Sequence, residues 1–162
     1  MFDDEYGNKL STNSREAVDL YNKGTHQFLG AEPGVEDSFR SAIDADPEFA
    51  LAHIGYAREM QLRGRSTDMR QALKRAIKYA KNLSEREQSH LKVSSLLLSG
   101  KSAEARFAVY EHVRRWPRDV LIAQMCTSVF GLIGFSGLPG REAEQLSFIS
   151  NLATYYGENW WY

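Results

Sequence analysis

Leu62-Arg63-Gly64-Arg65-Ser66 returns as Leu98-Ser99-Gly100-Lys101-Ser102 and again as Leu132-Ile133-Gly134-Phe135-Ser136. Each copy is a leucine, a spacer, a glycine, a spacer and a serine, and Phe28-Leu29-Gly30 is a weaker fourth copy. The glycines stand at 30, 64, 100 and 134, so the intervals between them are 34, 36 and 34 residues. Prolines add a second mark, Pro47 lying 17 residues beyond Gly30 and Pro117 17 beyond Gly100. A fixed period of this size is the signature of stacked supersecondary units. A glycine in mid-unit suits a left-handed helix end, where other side chains are strained. A proline near the end of the unit stops its second helix.

A period of about 34 residues is the length of a tetratricopeptide repeat, a helix–turn–helix unit. Aligning the prolines gives units at about 16–49, 50–85, 86–119 and 120–157, with a further repeat beginning at 158–162. Together residues 14–162 make one repeat domain, preceded by an N-terminal extension over 1–13. Phe39 and Ala42 fall where the pattern wants an aromatic and an alanine, and Ala57 and Ala105 fall where paired helices must approach closely. Helices are predicted over 15–29, 36–45, 48–63, 69–82, 85–99, 103–115, 119–133 and 141–156. Ser14 caps the first, and Ser84-Glu85-Arg86-Glu87 reads as a capping box. Phe135 to Gly140 reads as a loop, and no strand-like alternation competes. The expected fold is all-α, a right-handed tetratricopeptide-like α-solenoid of about four repeats.

Composition fits a single folded domain. The chain has 162 residues, 20 basic against 21 acidic side chains, and 43% hydrophobic residues. That is enough apolar material for a core. The near-neutral balance gives no general attraction to nucleic acid or to an anionic membrane. Cys126 is the only cysteine, so no intrachain disulfide forms, which suits a reducing compartment. The acidic start Met1-Phe2-Asp3-Asp4-Glu5 lacks the apolar stretch of a secretory signal, and no apolar run is long enough to span a membrane. A cytoplasmic location is expected.

Several blocks tie these repeats to a known family. Leu10-Ser11-Thr12-Asn13-Ser14, Asp46-Pro47-Glu48-Phe49-Ala50-Leu51-Ala52-His53 and Ser84-Glu85-Arg86-Glu87-Gln88-Ser89-His90 are three of them. Trp116-Pro117-Arg118-Asp119 and Tyr156-Gly157-Glu158-Asn159-Trp160-Trp161 are the others. In this order, and over nearly the whole chain, they resemble the tetratricopeptide repeat protein 38 family. The resemblance implies a cytosolic helical-repeat protein without an established catalytic activity or active site. Members of that family are longer, so the chain resembles an N-terminal portion.

The chemistry-bearing motifs are sparse. Gly100-Lys101-Ser102 matches only the end of a phosphate-binding loop, since position 95 holds serine where the loop needs glycine. Asn82-Leu83-Ser84 is a formal glycosylation sequon, read here as a capping loop. Glu87 and His90, three residues apart, share a helix face. A di-iron site would need a second Glu-x-x-His and two more glutamates, and no second copy exists, so no metal or other cofactor is expected. The pair still has acid–base capability, which makes an enzyme or small-ligand site the alternative to a binding module. The basic residues Arg58, Arg63, Arg65, Arg70, Lys74, Arg75, Lys78 and Lys81 concentrate in one segment. Arg70, Lys74, Lys78 and Lys81 form a solvated stripe without interleaved aromatics, so nucleic acid is not the expected partner.

The repeat register names a concave face. In tetratricopeptide-like stacks, positions 2, 5, 9, 12 and 13 of each first helix line it. Carried onto this chain they are Leu51, Ile54, Arg58, Gln61 and Leu62, then Glu87, His90, Ser94, Leu97 and Leu98. In the fourth unit they are Leu121, Gln124, Ser128, Gly131 and Leu132. The mixture is apolar and hydrogen-bonding, with Arg58 the one fixed positive charge, unlike basic clamps that grip peptide carboxylates. A protein or peptide is the expected partner, held on this face by a scaffold with no catalytic residues. Finally, Tyr156, Trp160, Trp161 and Tyr162 crowd the C-terminus, the opposite of a polar capping element. That crowding points to self-association through this end, or to a fragment of a longer protein.

Overall fold

The computed structural model describes all 162 residues as a helical assembly. The element order is β1 (Phe2–Asp3), β2 (Lys9–Leu10), α1 (Arg15–Leu29), α2 (Val35–Ala45), α3 (Ala50–Leu62), α4 (Ser66–Lys78), α5 (Glu85–Leu98), α6 (Ser102–Arg115), α7 (Val120–Ala123) and α8 (Arg141–Tyr156). Short 3₁₀ turns cover Ala80–Asn82, Gln124–Cys126 and Gly134–Ser136. The two short strands pair antiparallel, Phe2 opposite Leu10 and Asp3 opposite Lys9. Consecutive helices pack in pairs, α1 with α2, α3 with α4 and α5 with α6, and α3 bridges to both α1 and α5. No helix is long and apolar enough to cross a membrane.

Local sequence explains the helix ends. The Ser14 hydroxyl accepts from the Ala17 amide, and Ser84 with Glu87 forms the full reciprocal capping box. Helices α3 and α5 end in Schellman motifs. Gly64 and Gly100 sit at φ 71° and 76°, with Arg65 N bonded to Met60 O and Lys101 N to Leu96 O. Helix α1 closes the same way, Glu32 N reaching Gln27 O, but here the left-handed residue is Ala31, at φ 51°. Gly30, at φ −82°, stands one place too early to take that role.

The first two pairs meet through small residues around one large ring. Phe39 is fully buried, and a Cβ on Gly24 of α1 or Gly55 of α3 would stand 3.0 or 2.5 Å from it. Ala57 and Ala105 are both fully buried, where the repeat register puts close helix contacts.

The fourth unit departs from expectation. The predicted helix 119–133 stops at Ala123 and tightens into a 3₁₀ turn, after which the chain doubles back. Thr127 bonds its hydroxyl to the Gln124 carbonyl, and the Leu132 amide returns to Met125 O at 2.7 Å. Glycine permits the crowding, because a Cβ on Gly131 would lie 2.6 Å from Met125 O and one on Gly134 2.1 Å from Val129 O. Gly134 therefore marks a close backbone approach and not a left-handed helix end. Residues 1–13 also differ from a loose extension, for Tyr6 and Leu10 belong to the main core.

Candidate functional site

The N-terminal half of α5, the last turn of α6 and the residue before α7 enclose a buried polar hub. Asp119 precedes α7, yet its carboxylate makes no cap and turns inward. Arg86 Nη1 meets Asp119 Oδ2 at 2.5 Å, His90 Nδ1 lies 3.0 Å from the same oxygen, and His112 Nε2 lies 3.1 Å from it. An ionised Asp119 accepts from both rings, which leaves His112 Nδ1 to accept from the Ser89 hydroxyl at 2.8 Å. Burial pushes the Asp119 carboxyl up, but His90, the hydrogen bonds from His112 and His90, and Arg86 together hold it well below the usual carboxylate range. Burial depresses His112, against the opposing pull of Asp119. Arg86 also donates to Lys9 O at 3.0 Å, so the hub clamps the N-terminal hairpin.

Glu87 serves a separate network. Its carboxylate accepts from Ser11 N at 2.8 Å and Ser84 N at 3.0 Å, and from both serine hydroxyls. Asn8 Nδ2 donates to Arg118 O at 3.0 Å, a further tie between the hairpin and the α6–α7 connection. Glu87 and His90 thus share a helix face but not a site, each held by its own partners. No group of three or more His, Cys, Asp or Glu side chains has the arrangement of a metal site.

A groove opens beside this hub. Its volume is about 620 Å³, within the usual range for ligand sites. Arg58, Gln61 and Leu62 of α3, Leu97 of α5 and Ser102, Ala103 and Arg106 of α6 form its walls, with Met125 and residues 130–138 closing one side. Phe130 and Phe135 are 76% and 73% exposed, their rings 5.7 Å apart. Arg106 is paired with Glu144 at 3.0 Å, and Tyr110 donates to the same carboxylate at 2.8 Å.

The concave register divides between groove and core. Arg58, Gln61, Leu62, Leu97, Gly131 and Leu132 line the groove. Leu51, Ile54, Glu87, His90, Ser94, Leu98 and Leu121 lie outside its lining, and all seven are buried. Glu87 lies behind Ser11 of the N-terminal segment, a cover the repeat pattern could not foretell. Gln124 and Ser128 are half-buried and lie outside the groove's lining. Arg106, Phe130, Phe135 and Leu138 are groove residues the sequence reading did not single out. The available signal was a pair of phenylalanines in a glycine-rich segment, where rings find little to pack against.

The C-terminal aromatics divide, Tyr156 buried and Trp161 half-buried but Trp160 and Tyr162 still 49% and 42% exposed. After Gly157 the chain turns, with Asn159 N bonded to Tyr156 O and the Tyr162 hydroxyl to Ile149 O, and no further helix starts. Tyr156 is buried, its ring 5.1 Å from Trp161 and 6.2 Å from Tyr6, while Trp160 lies 4.4 Å from His26. Of the basic cluster, Arg63 and Arg65 are drawn into ion pairs with Glu36, Glu59 and Asp68, whereas Arg70, Lys74 and Lys78 stay exposed. In comparison with known proteins, no family, characterised protein or solved structure matches this chain.

Proposed function

We propose that this chain is a tetratricopeptide-like interaction module that holds a protein or peptide segment in the groove beside α3, α5 and α6. The reading assigns it a scaffold's role, in a reducing cytosolic setting, with no reaction of its own. Paired helices with matching left-handed ends at Gly64 and Gly100 support the repeat construction. So does the resemblance to the tetratricopeptide repeat protein 38 family, which brings right-handed stacking of about four units. The observation that carries the function is the groove itself, open to solvent and flanked by two largely exposed phenylalanines. Exposed aromatic rings at the edge of a concave surface are the usual anchors of a bound chain.

Selection of displayed random peptides on the full chain tests this reading. Enriched peptides are expected to bind the parent and to lose about tenfold or more on a Phe130→Ser/Phe135→Ser variant, as for removed hot-spot contacts. Both rings are exposed, so the variant's melting temperature should match the parent's. Peptides that bind both proteins equally, or no enrichment, would overturn the groove as the binding face.

A further inference from the structure

The groove's charge is one-sided. Its 14 lining residues include two arginines and no aspartate or glutamate, in a chain whose overall charge is −1. The two arginines differ in what they already hold. Arg106 has Glu144, but Arg58 has no carboxylate partner, bonding only to the Gln61 amide oxygen through Nη1. Its Nε is buried with no partner at all. Arg58 also lines a small recess next to the groove, with Ser94, whose hydroxyl is likewise buried and unpartnered. That recess has room for about 10 Å³, the size of one water and no more.

A guanidinium partly withdrawn from water without a counter-charge carries a desolvation cost, and burial does lower the Arg58 pKa. An incoming anion would relieve that cost at the place where the groove is deepest in donors. From these observations we infer that the groove takes a peptide segment in which a side-chain carboxylate sits between apolar side chains. The carboxylate meets Arg58 and Gln61, and the apolar neighbours lie on Leu62, Phe130 and Phe135. This deepens the proposed function and rests on it.

Charge complementarity selects this occupant over others. A phosphodiester chain needs a run of cations along its backbone, and the groove offers one that is uncommitted. The exposed bases Arg70, Lys74 and Lys78 on α4 are not among the lining residues. Eight of the 14 lining residues are hydrophobic, so a highly charged partner would leave most of the wall unused.

The test uses the intact chain and amidated decapeptides of alternating leucine and glutamate, against the same peptides with glutamine in place of glutamate. Binding is followed by titration in two-dimensional nitrogen–proton spectra that resolve the arginine Nε–H signals. The glutamate peptide is expected to bind about tenfold tighter or more than the glutamine peptide, to shift the Arg58 Nε–H signal, and to weaken as salt is raised. Arg58→Met should erase the difference between the peptides, and Arg58→Lys should restore part of it. Because Arg58 is half-buried, thermal unfolding of both variants establishes that they fold. Equal binding of the two peptides at the Phe130 and Phe135 signals would overturn the carboxylate inference while leaving the groove as a peptide site. Binding of neither peptide, or of a ten-nucleotide single strand through Arg58 instead, would overturn the inference. The groove itself is overturned only by the peptide selection, through peptides that bind the parent and the phenylalanine variant equally or through no enrichment.

Discussion

Ala31 carries φ 51° at the turn where Gly64 and Gly100 occupy the equivalent place in the next two helix pairs. An L-residue held there is strained by roughly 1–2 kcal/mol. Ala31→Gly should therefore raise stability in chemical denaturation, less the entropy that glycine adds to the unfolded chain. Gly100→Val should lower it by a similar amount through the backbone alone, since nothing lies within 4 Å of a Cβ built at Gly100. Gly100→Asn should come close to neutral, because asparagine tolerates this region. If valine and asparagine behaved alike there, the left-handed turn would lose its explanatory role. Ala105→Leu, in a fully buried site, should cost about 1–3 kcal/mol by overpacking. The largest single effect belongs to Asp119, where Asp119→Asn leaves Arg86 buried without its counter-charge. A loss of about 3–5 kcal/mol is expected.

At the scale of elements, the helix ends were the most readable part of the chain. Ser14, the Ser84–Glu87 box, Gly64 and Gly100 act locally, so a single stretch of sequence contains both the residue and the group it serves. The fourth unit was not readable in this way. Its glycines look like those of the other turns, but Gly131 and Gly134 are required by carbonyls met only after the chain has doubled back. Asp119 reads locally as a helix start, and its partners Arg86 and His90 lie 33 and 29 residues away. Glu87 caps α5, as its spacing from Ser84 predicts, but it lies outside the groove, because Ser11, 76 residues earlier, covers it. That long-range tie gives a prediction of its own. Glu87→Gln keeps the size of the side chain but replaces one acceptor oxygen with a donor, setting it against the amides and hydroxyls of Ser11 and Ser84. Hydrogen exchange should quicken over residues 1–13 and the first turn of α5, with α3 and α4 little changed. Uniform exchange across the whole chain would show that the hairpin is not a separate cooperative element.

For the molecule as a whole, acid and the C-terminal tail test how the parts are coupled. Asp119, with its folded pKa depressed, contributes stability that is present above the unfolded carboxylate range and is lost as pH falls below about 4. His53 and His112, both depressed chiefly by burial, act earlier, since the unfolded chain takes up protons near pH 6.5 that the folded chain refuses. Asp4 runs the other way, its carboxyl raised by burial. Melting temperature should accordingly decline from pH 7.5 to 5 and more steeply below 4, and His112→Gln should flatten the first part of the decline. The tail decides between self-association and a closed monomer. Trp161 and Tyr162 pack against Tyr156, which in turn touches Tyr6 of the N-terminal hairpin, and Trp160 covers His26 of α1. The tail thereby joins α8 to the first residues of the chain. Deleting residues 158–162 uncovers Tyr156 and removes contact area worth about 2 kcal/mol, which in a domain of this size lowers the melting temperature by roughly 4–8 °C. With Tyr156 covered by the tail, the intact chain should stay monomeric in light scattering across a concentration series, and the truncated chain should be the one that associates. An intact chain that dimerises, and a truncated one that melts unchanged as a monomer, would restore the tail as an association surface.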